Sequence, residues 1–126
     1  MFPDYRSFMS TGVLMQVNLE NALEELGVSE EDYREFLGDL LVYANELVPQ
    51  LEAIIKGEMP RKEMHQLAHS LKGACRNMRF VAAGDLANQL EKWGAKDAEL
   101  DPAPVYTELR KTLVESFAQF GMKTSF

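Results

Sequence analysis

Apolar residues recur every three to four positions along most of this chain, in five segments parted by glycine and proline, and nowhere do they alternate as a strand requires. That periodicity restricts the fold to helices packed on helices. The first segment, Ser10 to Leu26, turns Leu14, Val17, Leu23 and Leu26 to one side and stops at Gly27, the residue type favoured just past a helix end. Ser29 and Asp32, with Val28 before them, form a near capping box for a second helix from Glu30 to Lys56. Tyr33, Leu37, Leu40, Ala44, Leu47 and Leu51 make its apolar stripe, and Pro49 inside it removes a backbone donor, which predicts a kink or a short break. A third helix is expected from Pro60 to Phe80. A fourth runs from Ala82 to Trp93 with Leu86, Leu90 and Trp93 inward, and a fifth opens on Asp101 and Pro102 and buries Tyr106, Leu109, Leu113 and Phe117 or Phe120 before Gly121.

Short connections between consecutive helices imply antiparallel neighbours, so the expected architecture is all-α: an antiparallel up-and-down four-helix bundle with an additional N-terminal helix. The chain has 126 residues, 46% of them apolar, enough for one continuous core. Residues 1–27 read as an N-terminal helical extension and 28–126 as the bundle, within a single domain. The apolar runs fall well short of the roughly 20 residues of a membrane span, and the N-terminus lacks a basic region followed by an apolar block. A cytoplasmic protein without membrane contact is expected. The single cysteine, Cys75, lies on an apolar helix face and reads as a small core residue. A formal charge of −7 argues against nucleic-acid binding, which needs a basic footprint.

The third segment is two-faced. Leu67, Leu71, Ala74, Cys75 and Met78 form its apolar side, and His65, His69, Lys72, Gly73 and Arg76 gather opposite. With His69 at the origin of a helical wheel, Gly73 and Lys62 fall within about 40° on one side and Arg76, His65 and Lys72 within about 60° on the other. Gly73 does not end the helix, because Ala74, Cys75 and Met78 keep the apolar phase after it. A mid-helix glycine costs about 1 kcal/mol relative to alanine, and an outward-facing one gains nothing from packing. What it supplies is room beside the imidazole. Neutral imidazole is a good nucleophile near neutral pH, and a phosphoryl group on it adds negative charge within reach of an ammonium one turn away, Lys72. An exposed pair of that kind is worth only about 0–1 kcal/mol, so Lys72 tunes a phosphohistidine and does not hold it alone. Lys62, Arg76 and Arg79 complete a locally basic surface around His69, suited to steering an acidic partner.

These residues resemble a known family. "AHSLKGACRNM" followed by "LANQLE" is similar to the histidine-containing phosphotransfer (HPt) domain of bacterial phosphorelays, whose signature is His-x-x-Lys-Gly and then Leu-x-x-x-Leu-Glu on the next helix. The matching positions are His69, Lys72 and Gly73, then Leu86, Leu90 and Glu91, and the resemblance spans Glu30 to Phe120. It implies a four-helix bundle that accepts a phosphoryl group on His69, through Nε2, from a receiver-domain aspartyl phosphate and passes it to another receiver. It also implies no ATP site and no resident cofactor, with Mg²⁺ and the catalytic aspartates supplied by the partner receiver, and response-regulator receivers or a hybrid histidine kinase as partners. Lys72 then stabilises the phosphoryl group, Gly73 gives the receiver access, and His65, Lys62, Arg76 and Arg79 lie at the docking surface. Two features depart from the pattern: Arg79 stands where many members have a small residue, often glycine, and the segment up to Gly27 is extra.

Other readings are weaker. His65 and His69 in "HQLAH" have metal-ligand spacing, but Gln66 stands where a zinc protease needs a glutamate to activate water, and no third ligand is indicated. The phosphoacceptor hairpin of a histidine kinase usually has an acid directly after its histidine, where this chain has Ser70. A bundle that binds a receiver and regulates a pathway without passing phosphate on remains an alternative of a different class.

Overall fold

The computed structural model describes residues 16–96 and 98–126, and they form five α-helices with no strand among them: α1 (Leu19–Leu26), α2 (Glu30–Ile55), α3 (Lys62–Asn77), α4 (Val81–Gly94) and α5 (Pro102–Ala118). Helices α2 to α5 form a closed ring in which α2 packs on α3 and α5, and α4 on α3 and α5. The side-chain links show the antiparallel order. The Tyr33 hydroxyl near the start of α2 donates to Met78 O at the end of α3 (2.7 Å), and Tyr106 early in α5 donates to Glu52 late in α2 (2.8 Å). Tyr33, Leu37, Leu71, Leu90, Leu109 and Phe117 are among the fully buried residues that fill the centre.

Capping chemistry sets most helix ends. Ser29 accepts the Asp32 N–H and the acids Glu30, Glu31 and Asp32 fill the first turn of α2, favourable at the positive end of the helix dipole. Asp101 accepts from Ala103 N ahead of Pro102. Helix α2 runs through Pro49 without a break; the ring is on the exposed side, where the lost donor leaves the core undisturbed. Helix α3 is shorter than its apolar pattern predicts. Its first bonds, Glu63 N to Pro60 O and Met64 N to Arg61 O, span three residues and make a tight entering turn. Its far end is a Schellman closure, with Phe80 N donating to Cys75 O and Arg79 N to Arg76 O. Arg79 occupies the left-handed position at φ 65°, where glycine is the unstrained choice. Arg79 thus closes the helix in the left-handed conformation that glycine adopts most easily. The Arg79 guanidinium is tied to Glu25 Oε1 (2.7 Å) and to the Arg76 and Asn77 carbonyls.

Two readings of inward faces need correction. In α4 the residues turned fully inward are Ala83, Gly84, Ala87, Leu90 and Gly94, whereas Leu86 and Trp93 are only partly buried. Small residues let α4 lie close on α3: a Cβ at Gly94 would run into the backbone of Met64 and His65. The N-terminal helix begins at Leu19, capped by Asn18, and not at Ser10; Ser10 and Leu14 lie outside the described residues. Val17 is buried, but from non-helical chain. That chain is clamped by one side-chain amide: Gln119 Oε1 accepts from the N–H groups of Gln16 and Val17 (3.0 and 3.1 Å) and its Nε2 donates to Val17 O (2.7 Å). Cys75 is fully buried, and burial pushes its thiol up to about 12, leaving it un-ionised at neutral pH.

Candidate functional site

Helix α3 has Met64, Ala68, Leu71 and Cys75 buried, which turns His69, one residue past Ala68, away from the core. The His69 side chain is 64% exposed midway along the helix. Its Nδ1 lies 3.0 Å from Glu91 Oε2 on α4. An ionised carboxylate only accepts, so Nδ1 carries the proton and donates it; in the neutral ring the lone pair then lies on Nε2, at the open edge.

Glu91 also receives the cation. Lys72 Nζ is 2.7 Å from Glu91 Oε1 and 3.4 Å from Asn88 Oδ1, and Lys72 and Glu91 are only 18% and 15% exposed. At 2.7 Å the Lys72 ammonium is the partner of the buried Oε1. Burial by itself raises the Glu91 carboxyl pKa. The hydrogen bonds and charges of Lys72 and His69 outweigh it and hold the group below its ordinary value. An ionised carboxylate thus links imidazole and ammonium, orienting one and anchoring the other.

Gly73 is exposed, and a Cβ built there meets nothing within 4 Å. No packing inside the chain requires the glycine, and the surface above it is open beside His69. Lys62 and His65 are exposed on the preceding turns. Arg76 and Arg79 sit differently from a free basic surface. Arg76 lays its stem over Gly84, where a Cβ would come within 2.8 Å of Cγ, and pairs with Asp85 (3.0 Å). Arg79 pairs with Glu25 as described above. The positive charge expected at the end of α3 is thus met by acids from α4 and α1. The sequence pattern had included Glu91 only as a motif match; its signal was an acid on α4 in register with the polar face of α3. Asn88 carried no signal of its own.

Among the described residues, no three His, Cys, Asp or Glu side chains gather as a metal site, and no helix is long and apolar enough to cross a membrane. A model of the Hpt domain matches residues 35–120. The chain belongs to the Hpt domain family, a class of histidine phosphotransfer carriers that work with receiver domains in phosphorelays. Comparisons with curated proteins and with solved structures returned no match.

Proposed function

We propose that this chain is a cytoplasmic phosphorelay carrier that takes a phosphoryl group onto His69 from the aspartyl phosphate of one receiver and gives it to another. The observation that carries this reading is the exposed His69 ring with Nδ1–H held by Glu91, which presents a nucleophilic Nε2 to solvent. In the forward step the Nε2 lone pair forms the N–P bond as the P–O bond to the receiver's aspartate breaks, and the aspartate leaves as a carboxylate. The ring, still protonated at Nδ1, gains positive charge, and Glu91 opposes it from 3.0 Å. Lys72, fixed on the α4 side by Glu91 and Asn88, offsets the charge of the phosphoryl oxygens. Reversal of the same steps onto a second receiver's aspartate completes the relay. The Mg²⁺ and the acidic residues that drive the exchange reside on the receivers, and this chain contributes no ATP site.

Incubation with phosphorylated receivers from the same organism is expected to give an acid-labile, base-stable phosphate. His69→Gln should abolish it with helicity unchanged, and His65→Gln should not. Label surviving in His69→Gln would overturn the assignment; tight receiver binding with no label in the intact chain would favour the regulator that binds without transfer.

A further inference from the structure

The charges around His69 are arranged unevenly along α3. Toward its end, Arg76 and Arg79 are matched by Asp85 and Glu25. Toward its start the basic groups lack such partners: among the described residues no carboxylate lies within 4 Å of Lys62 or Lys92, both exposed. Lys92 belongs to this surface by register. On α4, Asp85, Asn88 and Lys92 share one ridge at spacings of three and four. Asp85 reaches Arg76 and Asn88 reaches Lys72, so the next position along the antiparallel pair sets Lys92 beside the turn that carries His65 and His69. The seam beyond confirms the register, with Gly94 against the His65 backbone and Arg61 donating to Trp93 O. Among the described acids near this end, Glu63 falls about 120° round from His69 on the α2 side, Glu58 lies beside Lys56 past the end of α2, and Glu99 faces the cleft lined by Arg61 and Trp93.

We propose that Lys62, His65 and Lys92 form the electrostatic half of the docking surface, and that it takes an acidic flank of the partner receiver next to that receiver's phosphoryl aspartate. The proposal rests on the carrier reading for its partner and adds to it the side of His69 from which the partner is steered. On a chain of net charge −7 such a patch acts locally, because the acids elsewhere are screened beyond roughly 8–10 Å at physiological salt. Rim charges of this kind act chiefly on the association rate. The end of α3 next to Gly73 is left as the charge-balanced half, its arginines paired with Asp85 and Glu25 and Val81 exposed at the start of α4.

The test uses the receiver that binds the intact chain most tightly among those of the same organism. Lys62→Glu with Lys92→Glu should lower the bimolecular transfer rate and weaken Kd by about tenfold at about 50 mM salt, converging on the intact chain within about twofold at about 0.5 M. The milder Lys62→Gln with Lys92→Gln should lose about threefold at low salt by the same screening logic. A charge-matched pair elsewhere, Lys111→Glu on α5 with Lys123→Glu, should leave both quantities within about twofold, as expected for charges beyond screening range. Unchanged rate and Kd in the Lys62 and Lys92 variants would overturn the proposal, as would an equal loss in the control pair. Labelling of His69 by phosphoramidate, a small donor that needs no docking, should be the same in all of them; a parallel loss would place the lysines in the chemistry and overturn the docking role. Kd reports on docking even if His69 takes no phosphate, so the two readings fail separately.

Discussion

Gly73 and Gly94 are both helical glycines close to the two histidines of α3, and their surroundings are opposite. At Gly94 the missing Cβ is replaced by the backbone of a neighbouring helix; at Gly73 it is replaced by nothing belonging to this chain. The first glycine serves assembly of the α3/α4 seam and thereby places Glu91 against His69. The second meets nothing in the folded chain, which leaves the space beside His69 open to a partner. The pair separates a glycine that the helix seam requires from one that the fold leaves unconstrained.

Substitution sharpens the contrast. Gly94→Ala is expected to cost about 1–3 kcal/mol in thermal or denaturant unfolding, because the added carbon meets main chain that cannot swing aside. A neutral result would mean that the seam is looser than described. Gly73→Ala should do the reverse and add up to about 1 kcal/mol. Gly73→Leu should leave the fold intact while slowing transfer from a receiver, measured by rapid-quench labelling; unchanged transfer would remove the case for an outside occupant. Glu91→Gln isolates what the seam positions. Because folding lowers the Glu91 pKa, its ionised form contributes stability that is fully present above the ordinary glutamate value and is lost as pH falls through the lower folded value. The stability gap between the intact chain and Glu91→Gln should therefore close on acidification, and a gap independent of pH would show that the carboxylate is not held ionised. The smallest effect is expected at Gly84→Ala, where the obstacle is the flexible stem of Arg76 and the change should stay within about 0.5 kcal/mol, as for most substitutions the surroundings can absorb.

The parts of this architecture that were legible in the sequence are those governed by near neighbours along the chain. Ser29, Gly27 and Asp101 with Pro102 marked helix ends because capping acts over two or three residues. His69, Lys72 and Gly73 stood out because one helix face suffices to group them. The inward face of α4 was misjudged, since Leu86 and Trp93 outweigh Ala83, Gly84 and Gly94 on any hydrophobicity count, whereas close helix contact selects the small residues. The pairing of Arg76 with Asp85 and of Arg79 with Glu25 joins different helices, and periodicity along one helix carries no information on it. For the same reason the link from Glu91 to both His69 and Lys72 emerged only with the register of α4 on α3. Arg79 is the instructive intermediate: its departure from the usual glycine was visible, but the tertiary ion pair and carbonyl contacts that accompany a left-handed arginine were not.

Cys75 gives the molecule its own gauge for such experiments. It is the sole thiol in the chain, and it is sealed beneath the helix that presents the imidazole. An alkylating reagent can reach it only when α3 lifts from the bundle, so the rate of modification counts openings of that helix directly. Every variant considered above can thus be graded for local integrity by mass alone, with no dye or added reporter.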